Sequence, residues 1–320
     1  GLDVSKINQI YFVACGTAYH ASLYAQYLLR TWIDSPIYCI SASEFRYGNY
    51  RIDENTLCIF VSQSGETADT LAALKLSKEN KAQTLSVTNV LGSSLARLSD
   101  YVLYTCAGPE IAVASTKAYT TQLVLLACLC LKLASLFNKG VACKNHMINQ
   151  LKQMPDVVEQ MLAQEEKMAE FAKLLTNQKD AYFIGRQLDY LSVLEGALKL
   201  KEVSYVHADA YMAGELKHGP IALIEKDTVV IALATQPSVA QKTISNILET
   251  VARGAKVILI ASQSQNTEGF EYVIRIPDVD PLLSCIPATV LLQELAYYVA
   301  KEKGCDVDKP RNLAKSVTVE

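Results

Sequence analysis

The sequence predicts a duplicated α/β fold: two tandem three-layer domains, each a parallel sheet flanked by helices, followed by a docked C-terminal tail. Three observations predict it. Short segments recur at one constant spacing, apolar strand-length runs alternate with helix-length stretches, and 320 residues is about two domains' worth of chain. Gln9-Ile10-Tyr11-Phe12 returns as Asp180-Ala181-Tyr182-Phe183, and Glu44-Phe45-Arg46-Tyr47-Gly48 returns as Glu215-Leu216-Lys217-His218-Gly219. Asp100-Tyr101-Val102 returns as Glu271-Tyr272-Val273, and Gln122 as Gln293. Each pair is shifted by 171 positions (9 to 180, 44 to 215, 100 to 271, 122 to 293). One spacing with only two copies describes a duplicated domain rather than a solenoid.

In copy one the apolar runs 10–14, 57–61, 84–88 and 101–104 read as strands, with helices at 18–32, 68–78 and 117–137. Continuously apolar strands separated by helices imply a parallel sheet covered on both faces. Copy two repeats the alternation, with strands at 181–184, 228–232, 256–261 and 272–276 and helices at 191–205, 238–253 and 288–303. The connection reads as a loop over 138–149 and a helical pattern over 151–175 interrupted at Pro155. The domains therefore span 1–145 and 146–305. The remainder, 306–320, carries Leu313, Ala314, Val317 and Val319, whose apolar character predicts a tail that docks.

Composition excludes several classes. Half the residues are hydrophobic and 20% are charged, too apolar for a disordered chain. Thirty Lys+Arg against 33 Asp+Glu leave no basic field for a nucleic-acid backbone. The longest apolar run, 123–131, ends at Lys132, short of the ~20 residues that span a bilayer, so no membrane association is expected. Nine cysteines without a C-x-x-C read as reduced thiols of a cytoplasmic protein rather than a metal site or disulfide framework. The first residues, Gly1–Lys6, are polar without the apolar stretch of a signal peptide, and Gly1 in place of Met suggests a trimmed chain or part of a longer one.

The chemistry gathers at strand ends. Ser62-Gln63-Ser64-Gly65-Glu66-Thr67 follows a copy-one strand and opens a helix, where free N–H groups, hydroxyls and a glycine suit a phosphate. The same residues also suit an ordinary helix cap. Its copy-two counterpart, Ala234-Thr235-Gln236-Pro237, lacks the paired serines and the glycine, which places the anion site in copy one. Cys15-Gly16-Thr17 and Val113-Ala114-Ser115-Thr116-Lys117 are two further hydroxyl-bearing turns, with Ser115 or Thr116 as a helix cap. The titratable groups lie in copy two. Glu195, Lys199 and Glu202 share one face of a helix whose neighbours are largely apolar, so they form either a salt-bridged surface or a buried functional cluster. His218 sits on the loop Gly214–Pro220 and suits acid–base work better than His20, His146 and His207, which read as structural.

These motifs, with Glu195-Gly196-Ala197-Leu198-Lys199-Leu200-Lys201-Glu202 and the ending Asp308–Glu320, resemble the paired sugar-isomerase (SIS) domains. Within them they are similar to the isomerase half of the isomerising glutamine–fructose-6-phosphate aminotransferases. The resemblance covers the whole chain. It implies that Thr17, Ser62, Gln63, Ser64 and Thr67 bind the sugar phosphate, fructose 6-phosphate, and that Val113 and Ser115 line the sugar. It further implies that Glu202 moves a proton between carbons 1 and 2 with Lys199 beside it. His218, from the partner of a homodimer, would assist ring opening, and Lys315 would engage the open-chain carbonyl. It implies no metal and no cofactor, since one carboxylate base and a cation suffice for an enediol step. Ala18 departs from the serine common in relatives, and the glutaminase domain of the family is missing, so hexose-phosphate isomerase activity alone is expected of this fragment. A sugar-phosphate deaminase or deglycase, or a non-catalytic sugar-phosphate sensor, are the competing expectations.

Overall fold

The computed structural model describes residues 2–137 and 144–319. These form two compact units: unit 1 comprises 1–111, 115–145 and 314–320, and unit 2 comprises 112–114 and 146–313.

In unit 1 the chain runs β1 (Gln9–Ala14), α1 (Gly16–Trp32), β2 (Ile37–Ser41), α2 (Ala42–Phe45), β3 (Thr56–Ser62), α3 (Ala68–Glu79), β4 (Gln83–Thr88), α4 (Ser94–Leu98), β5 (Tyr101–Tyr104) and α5 (Lys117–Leu136). All strands are parallel, in the order β2-β1-β3-β4-β5. The central strand β3 is buried along its whole length, as expected when helices cover both faces. One face packs Tyr11, Phe45, Phe60, Leu74 and Leu95 into a single cluster.

In unit 2 the helices α6 (Lys144–Leu162) and α7 (Glu165–Ala172) lead into β6 (Asp180–Gly185), α8 (Leu188–Ser204) and β7 (His207–Met212). Two 3₁₀ turns, Leu216–His218 and Pro220–Leu223, precede β8 (Val229–Ala234), α9 (Ala240–Val251), β9 (Lys256–Ser262), β10 (Tyr272–Ile276) and α10 (Cys285–Glu302). The parallel order β7-β6-β8-β9-β10 repeats that of unit 1. Phe183, Ile231 and Ile258 point to one side, with Ala197 of α8 and Leu292 of α10. Their neighbours Tyr182, Val230 and Leu259 point to the other, with Ile247 of α9. This alternation is the period-2 pleat read through two packed layers. The register also locates a one-residue insertion. Ile10 pairs with Leu57, whereas Ala181, 171 positions after Ile10, pairs with Val229, 172 positions after Leu57.

Both sheets hold five strands rather than the four expected of each copy. The additional strands lie at sheet edges and are half-exposed: β2 buries only Ile37 and β7 only Ala208. Of the loop expected at 138–149, residues 138–143 lie outside the described residues, and the rest is the start of α6. That helix continues through Pro155 instead of breaking there. The proline faces solvent, where the carbonyl it frees can be hydrated, and the break comes at 163–164. Helix α5 spans 20 residues and, by length and composition, is the one described helix apolar enough to cross a membrane. It buries Tyr119, Leu123, Leu126, Leu129 and Leu133 within unit 1, the behaviour of a core helix.

Each sheet's order reverses between its first and third strands, β1 and β3 in unit 1 and β6 and β8 in unit 2. Ligands of open α/β sheets bind outside the carboxyl ends of strands at this switch point.

Candidate active site

In unit 1 the turns after β1 and β3 carry the hydroxyls. Gly16 adopts φ +54°, which L side chains rarely tolerate, and sets Thr17 in the first turn of α1. After β3, the Ser62 hydroxyl accepts from the Gly65 N–H at 3.0 Å and lies 3.1 Å from the Thr67 hydroxyl. The Ser64 hydroxyl accepts from the Glu66 N–H at 3.2 Å. Gly65 has φ +67°, and a Cβ there would collide with the Ser93 hydroxyl, so the turn requires glycine. Glu66 is drawn away from the turn: its carboxylate accepts from the Ser94 N–H at 2.7 Å, a bond that holds its pKa below the usual carboxylate value. The structure thus brings Ser62, Ser64 and Thr67 together on one turn, with Gln63 accepting the Asn89 N–H at its carbonyl. The tail meets this turn within the same unit. Ser316 Oγ lies 3.1 Å from Ser64 Oγ, and the Ala68 N–H of α3 donates to the Val317 carbonyl at 3.1 Å. Lys315 precedes this contact and is half-buried.

The third hydroxyl turn behaves differently. Thr116 is the residue that precedes α5, but its hydroxyl does not cap the helix. Glu110 does: its carboxylate accepts from Thr116 Oγ1 at 3.1 Å, the Thr116 N–H at 3.3 Å and the Ala118 N–H at 2.7 Å. The N-terminal charge of α5 is therefore met by an internal anion, and Ser115 lies just outside the helix.

In unit 2 the titratable trio stands on α8. Glu195 is fully buried and Lys199 is 1% exposed, whereas the Glu202 side chain keeps 21% exposure. The Lys199 ammonium lies 3.5 Å from Glu195 and hydrogen-bonds Glu202. Burial pulls this lysine's pKa down, but the two carboxylates outweigh burial and raise it above the ordinary value. The trio is a buried cluster, not a solvated face, and Glu202 is its one member open to solvent. His218 is exposed at the end of the first 3₁₀ turn, followed by Gly219 at φ +150°. The structure does not hydrogen-bond it to the trio. Val113 donates its N–H to the Asp308 carbonyl at 3.0 Å, and Arg311 stacks on Tyr205, 4.1 Å from the ring centre, just past the end of α8. Of the histidines read as structural, His207 lies 3.0 Å from Asp180 and His146 3.6 Å from Asp280.

Asp189 was not legible beforehand. It sits in the first turn of α8, fully buried, and accepts from the Thr235 N–H at 2.8 Å and from the Thr235 hydroxyl. Burial pushes its carboxyl up to about 6, against the hydrogen bonds from Thr235 and Gln236 that favour the charged form. Its partners lie 46 residues downstream, beyond any local spacing rule. Among the described residues, no group of three or more His, Cys, Asp or Glu is arranged to hold a metal ion.

The SIS domain model matches residues 3–132 and 174–296. The glutamine–fructose-6-phosphate aminotransferase (isomerising) of Clostridium tetani is 54% identical over 99% of this chain, and that of Thermococcus kodakarensis is 46% identical over 99%. The chain spans about half the length of these relatives, 53% in both cases. Among solved structures, the C-terminal domain of glucosamine-fructose-6-phosphate aminotransferase from Francisella tularensis superposes with a TM-score of 0.91 at 39% identity, covering 96% of this chain and 88% of that one. A glucosamine-6-phosphate deaminase from Thermotoga maritima superposes with a TM-score of 0.78 at 26% identity, covering 98% and 92%.

Proposed function

The chain belongs to the SIS-domain family, and from that premise we propose that it is the isomerase half of an isomerising glutamine–fructose-6-phosphate aminotransferase. On this reading fructose 6-phosphate and ammonia give glucosamine 6-phosphate and water, the ammonia coming from a glutaminase half. Without ammonia the chain interconverts fructose 6-phosphate and glucose 6-phosphate. It works as a homodimer in the cytoplasm, and the described cysteines, none of them in a disulfide, suit a reducing compartment.

The roles divide between the units. The turn Ser62, Gln63, Ser64 and Thr67, with Thr17, takes the phosphate through hydroxyl and backbone donors, while Ser115 and Val113 contact the sugar. Lys315, next in the chain to the Ser316 and Val317 contacts with Ser64 and Ala68, engages the open-chain carbonyl and stabilises negative charge on its oxygen. His218, supplied by the partner subunit, protonates the ring oxygen as the hemiketal opens. Glu202 then removes the proton from carbon 1 and returns it to carbon 2, a single carboxylate reaching both carbons. Lys199 fixes the Glu202 carboxylate, and Glu195 balances the lysine's charge.

One observation carries the reading: α8 buries a lysine between two carboxylates and leaves only Glu202 open to solvent. A structural ion pair gains little from such burial, whereas a positioned base requires it. The 39% identity to the aminotransferase domain favours this reading over a deaminase, matched at 26%. Replacing Glu202 with Gln tests it. Isomerisation is expected to fall by ~10²-fold or more, and exchange of the carbon-bound proton with deuterated water to fall with it. Exchange at the parental rate would overturn the assignment and move the base to another residue.

A further inference from the structure

Arg186 follows β6 at the switch point of unit 2, and its surroundings do not look like a stabilising arrangement. Its guanidinium is half-buried, and its Nε is buried without a hydrogen-bond partner. No carboxylate lies within ion-pair distance of it among the described residues. One terminal nitrogen donates to the side-chain carbonyl of buried Asn246 on α9 at 2.8 Å. The Asn246 amide in turn donates to Glu249 at 3.2 Å, which fixes its orientation. Taking a cation partly out of water against a neutral amide is unfavourable unless something else requires it.

What the guanidinium touches supplies the requirement. A Cβ built on Gly214 would stand 2.6 Å from Arg186 Nη2 and 3.2 Å from Cζ and Nη1. Gly214 is not among the residues with positive φ, so glycine is there for space rather than for backbone freedom: the guanidinium occupies the place of its side chain. Gly214 is the first residue of the loop that carries His218. On the preceding side the loop is tied by the Ala213 N–H to the Gly185 carbonyl at 2.8 Å, and within it by the Glu215 N–H to Met212 and the His218 N–H to Glu215. Buried Leu216 anchors it from below. Beyond His218, Gly219 at φ +150° opens the second 3₁₀ turn, its carbonyl accepting from the Ala222 N–H at 3.0 Å.

We propose that Arg186 is a positioning residue for the His218 loop, its guanidinium held flat against Gly214 by Asn246. The proposal rests on the ring-opening role given to His218 above. It assigns Arg186 to the opening step alone, because proton transfer between carbons uses α8 and not this loop.

The experiment compares two substrates. Fructose 6-phosphate must open before it reacts, whereas 5-deoxyfructose 6-phosphate lacks the hydroxyl that closes the furanose ring and is already open. Rates of carbon-bound proton exchange with deuterated water are measured for the parent, Arg186→Met, Asn246→Ala and His218→Ala, with folding checked by thermal denaturation. Arg186→Met and Asn246→Ala are expected to slow the fructose 6-phosphate reaction about tenfold to 10²-fold, the penalty of an ångström-scale misplacement. The deoxy analogue should react within about twofold of the parental rate, and His218→Ala should show the same selective loss. If Arg186→Met and Asn246→Ala leave both substrates unchanged, or slow both equally while His218→Ala is selective, the brace is overturned and His218 keeps its role. If His218→Ala is itself unselective, or the parent exchanges neither substrate, the underlying reading fails and the proposal with it.

Discussion

The turn after β3 and the turn after β8 occupy equivalent places in two sheets of identical strand order, yet they treat negative charge in opposite ways. In unit 1 the hydroxyls of Ser62, Ser64 and Thr67 line the turn, and the one acid within it, Glu66, is turned aside to the N-terminus of α4. In unit 2 the counterpart donors of Thr235 converge on the buried carboxylate of Asp189, with Ser284 and Gln236 packed around them. The duplicated position favours an anion in both copies. Copy two supplies that anion from its own chain and thereby ties the first turn of α8 to the sheet. The same helix carries Glu195, Lys199 and Glu202, so the unit that fills its anion position internally is the one proposed to hold the base.

The contrast is sharpest in what each unit loses when a polar group is removed. Lys199→Met removes the cation that lies 3.5 Å from fully buried Glu195. Breaking a buried pair from one side costs about 3–5 kcal/mol, so the denaturant midpoint should fall steeply. Ser64→Ala in unit 1 touches a half-buried turn and should stay within about 1 kcal/mol. Equal losses in the two variants would remove the distinction between a charge-burying and a hydroxyl-lined unit.

A smaller effect separates the two turns by pH. The folded-state pKa of Asp189 is raised to about 6 from an ordinary 3.8. The folded chain therefore holds a proton that the unfolded chain has released between those values. Its contribution to stability is fully present below about pH 4 and declines as pH rises towards about pH 6. Asp189→Asn removes this slope, so the melting temperature of the parent relative to the variant should fall across that window. A constant difference from pH 4 to pH 7 would show that the carboxylate is not held as described.

The duplication, the parallel sheets and the hydroxyl turn after β3 were legible because each leaves a local or periodic trace. The segment Ser62–Thr67 announces a strand end, a glycine and a helix start in six residues. The edge strand β7 was not legible, because His207 and Asp209 interrupt its apolar residues, whereas the short apolar run of β2 at 37–40 is a signal comparable to that of β5. Asp189 and Glu110 were invisible for another reason. Asp189 takes its partners from a distant strand end, and Glu110 caps α5 from outside the three-residue spacing of a capping box. The α8 trio was readable as one helical face. Which of its carboxylates stays open to solvent was not, since that depends on how the helix is packed.

Titration calorimetry of fructose 6-phosphate tests the division of labour most directly, with the parent, the double variant Ser62→Ala/Ser64→Ala and Glu202→Gln measured side by side. Each hydrogen bond to a charged phosphate contributes ~1.5–3 kcal/mol, so the double serine variant should bind at least ~10²-fold more weakly. Glu202→Gln keeps shape and volume and should bind within a few-fold of the parent while failing to turn over, the separation of binding from chemistry that a base implies. Parental affinity in the serine variant, or an equally large loss in Glu202→Gln, would contradict the account.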